Sequence, residues 1–166
     1  MSPSPTLRSD LLQIYLADHQ AGGRGILQRL GQMEGYTDLP IKPRISRLRR
    51  EVGEEYDWVC ALVEQLDLRH GHLKAASARV GELLGRLKLN GRLTSRSPST
   101  PIVELELLSC AVVGKMRLWE TLTDVADALP VDRADLAHLH ARAERQLWDI
   151  GQAHGQLRRD AFTTSS

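Results

Sequence analysis

The stretch STPIVELELLSCAVVGKMRLWETLTDVADAL (residues 99–129) decides the fold, because it is the longest uninterrupted helical pattern in the chain. Thr100 fits the N-cap position and Pro101 fits the first helical position. Glu104 falls near the helix N-terminus, where the helix dipole favours an acid. Glu106 has no such explanation, because its spacing places it on the predicted inward face. That face comprises Ile102, Leu105, Glu106, Ser109, Val112, Val113, Met116, Trp119 and Leu122.

Other long helical patterns surround this one. The first begins at Ser9 or Asp10, the second covers about residues 44–68, and the last begins at Asp132 or Asp135. The second has a strict stripe in which an acid occupies a core position: Ile45, Leu48, Val52, Glu55, Val59, Leu62 and Leu66. The inward face of the last comprises Leu136, Leu139, Ala143, Leu147, Ile150, His154 and Leu157. In the first pattern, the adjacent Gly22 and Gly23 predict either a close helix approach or room for a ligand.

The composition favours a single all-α domain. The chain has 166 residues and only 4% aromatic residues, so Leu, Val, Ile and Ala must supply its core. The formal net charge of +1 argues against a nucleic-acid binder, which usually carries a basic excess. Cys60 and Cys110 lie in apolar helical patterns and are expected to be buried, reduced thiols. Without a signal core or a long apolar run, the sequence predicts no membrane segment and a cytoplasmic location.

The order of the patterns predicts a four-helix bundle built from two antiparallel hairpins. A turn at residues 35–43 (GYTDLPIKP) joins the first two long helices, and Pro130 separates the last two. Residues 69–100 form a long connection, which carries a short extra helix over about residues 72–89. The single bundle domain is expected to span residues 9–162, between a disordered N-terminal tail (1–8) and a C-terminal tail (163–166).

Five segments carry a resemblance to the ferritin-like superfamily of helical bundles. They are LADHQAGG (16–23), REVGEEYDW (50–58), GRLKLNGRL (85–93), VELELL (103–108) and ARAERQLW (141–148). Within it, the chain is most similar to small uncharacterised bacterial helical proteins. The resemblance implies one carboxylate from each long helix around iron or manganese, and the matching positions are Asp18 (with His19), Glu55, Glu106 and Glu144. The family's Glu-x-x-His motifs are absent, since Trp58 and Leu147 stand where the histidines would be.

Register limits which of these groups can meet, because residues equidistant from a turn lie at one level of a hairpin. Asp18 and Glu55 are level in the first hairpin, and the second has two level acid–histidine pairs: Glu106 with His154, and Glu120 with His140. A connection that crosses the whole bundle would direct the first hairpin's acids towards Glu120, His140 and Glu144. A connection that stays at one end would favour Glu106 and His154. The candidate metal ligands are therefore Asp18, His19, Glu55, His140 and Glu144, with Glu106, Glu120 and His154 as alternatives.

Two main interpretations fit the interior acids, and a small-molecule site is a further alternative. In the first, they pair with basic side chains as a structural polar network, for which the candidates are Arg24, Lys115, Arg117, Arg142 and Arg145. The protein is then a non-enzymatic bundle without a cofactor, and it has an interaction or scaffold role as a homodimer or with a protein partner. In the second, it is a redox or storage protein that binds iron or manganese. The basic segments 42–50 and 86–96 are interpreted as solvated faces and not as a nucleic-acid site.

Overall fold

The computed structural model describes residues 7–68, 97 and 99–163, and these residues are arranged as helices without a strand. Helix α1 is Ser9–Glu34, α2 is Lys42–Gln65, α3 is Thr100–Asp124 and α4 is Arg133–Phe162, with a short 3-10 helix at Ala126–Ala128. The all-α prediction is therefore confirmed for this part of the chain. The predicted short helix over residues 72–89 and the basic segment 86–96 lie outside the described residues.

The helix starts agree only partly with the capping predictions. Asp132 is the N-cap of α4, and its side chain accepts a hydrogen bond from the Ala134 N–H at 2.8 Å, as predicted. The N-cap of α3 is Ser99 and not Thr100, and it makes no side-chain capping bond. Likewise, Arg8 precedes α1 without a side-chain cap. Tertiary packing must therefore hold these two helix starts, since helix stability in proteins comes mostly from packing.

The four helices pack as two hairpins that face each other. Helix α1 packs chiefly on α2, and α3 packs chiefly on α4, while α1 contacts α3 and α2 contacts α4 across the hairpins. Near the start of α1, the Tyr15 hydroxyl lies 3.2 Å from Thr121 Oγ1 at the end of α3. Just beyond the end of α1, Tyr36 bonds to Glu104 at the start of α3. Helices α1 and α3 are therefore antiparallel.

The ends of the long connection lie at opposite ends of the bundle. At one end, the Gln13 side-chain amide donates to the Leu68 carbonyl at 2.6 Å, so the chain leaves α2 beside the start of α1. At the other end, α3 begins beside the end of α1, where Tyr36 donates to Glu104 at 2.8 Å. The chain between these points must therefore join opposite ends. This settles the direction that the sequence left open. No helix in the described ranges is long and apolar enough to cross a membrane.

Leucine, isoleucine and valine fill the core, together with one large aromatic residue. Trp119 is fully buried and meets the Trp58 ring edge-to-face, with ring centroids 5.6 Å apart. The predicted stripe of α2 is confirmed from Ile45 to Leu62, and Glu55 within it is 2% exposed. Leu66, the last residue of the stripe, is only partly buried. An acid thus lies in the packed interior, where it requires a partner.

Helix α3 is rotated relative to the sequence prediction. Glu106 is exposed and Glu104 is buried, at 4% exposure, so the prediction of Glu106 as the interior acid is wrong. Val113 is also exposed, and Leu108 and Leu118 take inward positions. Apolar residues surround most of this helix, so the sequence pattern permits several inward faces. For the same reason, Cys110 is exposed and not buried as expected. Cys60 on α2 is half-buried, and neither thiol forms a disulfide.

The glycine pair in α1 has two different environments. A Cβ built on Gly23 would lie 3.0 Å from Cδ2 of Tyr56 on α2, which is closer than side chains normally pack. A Cβ built on Gly22 would meet nothing within 4 Å. The predicted close approach is therefore found at Gly23, and Gly22 faces open space.

Candidate functional site

Glu55 is the centre of a polar cluster that joins three helices. Its carboxylate lies in the core stripe of α2 and accepts a hydrogen bond from the Lys115 Nζ of α3. It also accepts a bond of 3.0 Å from the Gln146 side-chain amide of α4. Lys115 Nζ donates in turn to Gln146 Oε1 at 2.5 Å. The three side chains therefore form a closed triangle of hydrogen bonds between the two hairpins.

Further acids extend this cluster towards the surface of α2. The Gln146 amide donates a second bond of 3.0 Å to Glu51 Oε2. One helical turn away, the Arg142 guanidinium donates to Glu54 Oε2 at 2.8 Å. All of these contacts run between α2 and α4, so they fix the register of these antiparallel helices with polar bonds as well as apolar packing.

Burial shifts both charged groups of the triangle towards their neutral forms. Desolvation raises the pKa of Glu55, and the nearby charge and hydrogen bond of Lys115 oppose that rise. Desolvation also lowers the pKa of Lys115, while the charge of Glu55 opposes the change. Each charge therefore depends on the other, and removing either one leaves its partner uncompensated in the interior.

A second interior acid, Glu104, holds α3 against α1. Its Oε1 accepts a hydrogen bond of 2.8 Å from the Tyr36 hydroxyl and one of 3.2 Å from Arg29 Nη1. The arginine is 26% exposed whereas the acid is 5% exposed, so the pair spans the boundary between core and solvent. Its Oε2 is buried without a hydrogen-bond partner among the described residues. The prediction that Glu104 serves the helix dipole in the first turn is wrong, because the first turn of α3 contains no acidic residue. Glu104 instead neutralises a cation on the neighbouring hairpin.

Two acid–histidine pairs lie between α3 and α4. His154 Nε2 is 3.2 Å from Glu106 Oε1, and His140 Nε2 is 3.2 Å from Glu120 Oε1, which confirms the predicted register of the second hairpin. The other ring nitrogen of His140, Nδ1, lies 3.9 Å from Oε1 of Glu144. The two acids therefore flank opposite ring nitrogens and do not converge on one point.

The remaining predicted ligands lie apart from this group. Asp18 is exposed on α1, and the adjacent His19 is half-buried with its ring edge-to-face against Tyr15, 4.7 Å between centroids. Desolvation lowers the pKa of His19, and the charge of Asp18 opposes this change. Glu55 is engaged by Lys115. Residues 7–68, 97 and 99–163 contain no group of three or more His, Cys, Asp or Glu side chains that could hold a metal ion.

The arginines near the start of α2 are paired with acids. Arg47 donates to Asp149 on α4 at 2.8 Å, and Arg44 lies 3.8 Å from the same carboxylate. Arg49 pairs with Glu34 at the end of α1. These contacts tie the start of α2 to its two neighbouring helices.

Gln146 is the member of this buried cluster that the sequence did not predict. It is 2% exposed and bonds to two acids and one lysine. Its position three residues after Ala143 and four before Ile150 places it on the predicted inward face of α4. A glutamine at such a position indicates a polar partner across the core. Comparison of the chain with family models, with curated proteins and with solved structures gave no match.

Proposed function

We propose that the protein is a non-enzymatic helical bundle with an interaction or scaffold role, in which the interior acids form a structural polar network. One observation carries this proposal: Lys115, from the opposite hairpin, places its ammonium against the buried carboxylate of Glu55. A side-chain cation thus already neutralises the most buried acid, at the position where a metal ion would otherwise do so.

The main effect of the network is to select one arrangement of the four helices, and its net contribution to stability is small. A buried ion pair contributes little net free energy, but an incorrect pairing that leaves one charge alone costs several kcal/mol. Helix α3 is apolar on most of its surface, so packing alone would permit several rotations. Only the observed rotation brings Lys115 to Glu55 and Gln146, and a scaffold benefits from the fixed surface that results.

The proposed architecture is ferritin-like, and the positions of the two ends of the long connection support this. Ferritin-like bundles use one long crossover between their hairpins. Here Leu68 and Thr100 lie at opposite ends of the bundle, as such a crossover requires. A cytoplasmic location belongs to the same proposal.

The second candidate function is iron or manganese binding. The observation that favours it is the position of His140, which has Glu120 on one ring nitrogen and Glu144 near the other. Carboxylate and imidazole groups suit both metals. Repositioning of these side chains would be required, because the two acids lie on opposite sides of the ring.

The test of the structural network is Glu55→Gln. Because Lys115 would lose its acid, we expect the free energy of unfolding to fall by about 3 kcal/mol, the lower end for breaking a buried pair, without any change in metal content. Asp57→Asn on the same helix is the matched control, since Asp57 is exposed and lies outside the cluster. Protein purified without an affinity tag should contain far less than one iron or manganese per chain. A stoichiometric metal that Glu55→Gln removes would contradict the proposal.

A further inference from the structure

Helices α1 and α3 are bridged by side chains at two levels, and the seam between those levels is open. Tyr15 lies 3.2 Å from Thr121 at one level, and Arg29 lies 3.2 Å from Glu104 at the other. The two levels are 14 residues apart on α1, which is roughly 21 Å at about 1.5 Å per residue. Gly22 stands midway, one heptad from each bridging residue of α1 and therefore on the same side of that helix.

Gly114 occupies the matching place on α3. It is one heptad from Thr121, so the antiparallel register sets it level with Gly22. A Cβ built on either glycine would meet no atom of the described residues within 4 Å. The floor of the seam is therefore bare backbone on both helices, with room above it.

The rims of this seam are apolar and exposed. Leu11 lies one turn before Tyr15, and Val103 lies five whole turns before Thr121, so both flank the seam. Leu11 is 48% exposed and Val103 is 42% exposed. We call this feature, defined by Leu11, Gly22, Val103 and Gly114, the α1–α3 groove. The seam between α2 and α4 is different, because polar bonds cross it at three successive levels.

The two ends of the long connection lie at opposite ends of the α1–α3 groove. Leu68 is held beside Gln13 near the start of α1, and Glu104 at the start of α3 is held beside Tyr36 after the end of α1. The groove between these points is roughly 35 Å long. Residues 69–96 supply 28 residues, of which the predicted 18-residue helix would cover roughly 27 Å. The other ten, at up to about 3.3 Å each, complete the distance with slack.

The sequence of the connection has an apolar side that suits the groove. Within residues 72–89, apolar residues recur every three or four positions: Leu73, Ala76, Val80, Leu83, Leu84 and Leu87. Lys74, Glu82 and Arg86 fall on other sides of the same pattern. An isolated helix of this length is marginal in water, so an amphipathic one requires an apolar surface to pack against.

We propose that residues 72–89 pack as an amphipathic helix in the α1–α3 groove, with Leu83 over the floor formed by Gly22 and Gly114. Leu83 is at the middle of the connection, and the two glycines are near the middle of the groove. Because the segment is attached to the bundle at both ends, its docking is intramolecular. It therefore requires less buried area than an interface between separate molecules.

Charge favours the same docking. The described residues carry 15 Lys or Arg and 20 Asp or Glu, whereas residues 69–96 carry seven Lys or Arg and one Glu. The connection and the bundle therefore attract each other. At the end of the bundle where the chain leaves α2, Asp10 of α1 and Asp124 of α3 are exposed, and Arg69 is the next residue of the connection.

Disulfide cross-linking tests the docking. In a variant that lacks both native cysteines, Gly114→Cys is combined in turn with a cysteine at each of three positions of the apolar side: Val80, Leu83 and Leu87. At least one of these pairs should form an intramolecular disulfide under mild oxidation, because the docked side chains lie within bonding distance of the groove floor. Peptide mapping by mass spectrometry identifies the disulfide. The absence of a cross-link in all three pairs would overturn the proposal.

Two matched pairs control for random encounter. Glu82→Cys with Gly114→Cys places the thiol on another side of the predicted helix. Leu83→Cys with Ala61→Cys tests the α2–α4 side, since Ala61 is exposed and lies one heptad after Glu54, which pairs with α4. Both controls should give a yield at least about tenfold lower than the best groove pair. Equal yields, or a preference for Ala61→Cys, would overturn the proposal.

Limited trypsin digestion tests the docking without engineered cysteines. A docked helix protects the Lys and Arg residues of the connection, so Leu83→Asp should increase the cleavage rate within residues 69–96 by roughly tenfold. Glu82→Gln is the matched control and should leave the rate unchanged. A Leu83→Asp variant that is cleaved no faster than the wild type would overturn the proposal. The outcome does not depend on the proposed function, because the α1–α3 groove contains no member of the Glu55 cluster.

Discussion

Replacing Lys115 by Met should leave the buried carboxylate of Glu55 without a cation. The Glu55 side chain is 2% exposed and that of Lys115 is 16% exposed, so methionine fills the space without supplying charge. Removing one partner of a buried pair typically costs about 3–5 kcal/mol. Because the Gln146 amide and the field of Arg142 still favour the carboxylate, we expect the lower end, about 3 kcal/mol. For a domain of this size, the melting temperature should fall by roughly 6–12 °C.

The pH dependence of this variant identifies the cause of the loss. Burial already raises the pKa of Glu55 above its ordinary value of 4.5, and Lys115 opposes that rise. Without Lys115, the folded state binds the Glu55 proton more tightly than the unfolded chain does. Stability is then lost as the pH rises through the window between the unfolded and folded pKa values. Lys115→Met should therefore regain stability relative to the wild type when the pH is lowered from about 7 to about 5.

Urea denaturation followed by circular dichroism measures these changes. Glu55→Gln/Lys115→Met should recover much of the loss, because the glutamine carries no charge and still offers an oxygen to the Gln146 amide. Arg117→Met is the matched control on α3, since Arg117 pairs with Glu120 in solvent. Its replacement should not change the free energy of unfolding measurably. A free energy of unfolding of Lys115→Met within about 0.5 kcal/mol of the wild type would show that Glu55 does not need this cation. A double variant that loses the sum of both single losses would show that the two residues are not coupled.

Two other positions give independent tests of the packing. Gly22→Ala should stabilise the protein by about 0.5–1 kcal/mol because its Cβ enters open space, whereas Gly23→Ala should give less or be destabilising because its Cβ would lie 3.0 Å from a tyrosine ring. Thermal denaturation of the two variants measures the difference, and equal effects would contradict the helix contact. Tyr36→Phe removes a 2.8 Å hydrogen bond to the buried Glu104 carboxylate and should cost about 1.5–3 kcal/mol in urea denaturation. An unchanged stability would show that this acid does not need the hydroxyl.

The sequence predicted the inward face of a helix correctly where the apolar residues form one narrow stripe. The stripe of α2 identified Glu55 as an interior acid because its apolar residues recur at strict helical spacing. Register counted from a turn also predicted the Glu106–His154 and Glu120–His140 pairs, since a tight antiparallel hairpin leaves few other alignments.

The same count was wrong for the first hairpin, where Asp18 was predicted to be level with Glu55. Arg24 bonds to Tyr56, so Glu55 lies level with a later part of α1.

The rotation of α3 could not be predicted in the same way. Its apolar residues extend around most of the helix, so Glu104 and Glu106 were both compatible with an inward position. The choice depends on contacts across the hairpins, namely Tyr36 and Arg29 with Glu104, and Lys115 with Glu55. These residues are 60–75 positions apart in the chain. Local periodicity carries no information about such pairs. For Gln146 it gives the inward position but not the partners, which lie on the other helices.

The most direct test of the central claim is the melting temperature of tag-free protein during titration with ferrous iron or manganese. A ligand that binds only the folded state must raise this temperature. If the interior acids are neutralised by Lys115 and Arg29, the melting temperature should not change. This should hold up to a metal concentration about 100 times the dissociation constant of a typical metal site. A rise with either metal that Glu55→Gln abolishes and Asp57→Asn preserves would contradict the structural role of the interior acids.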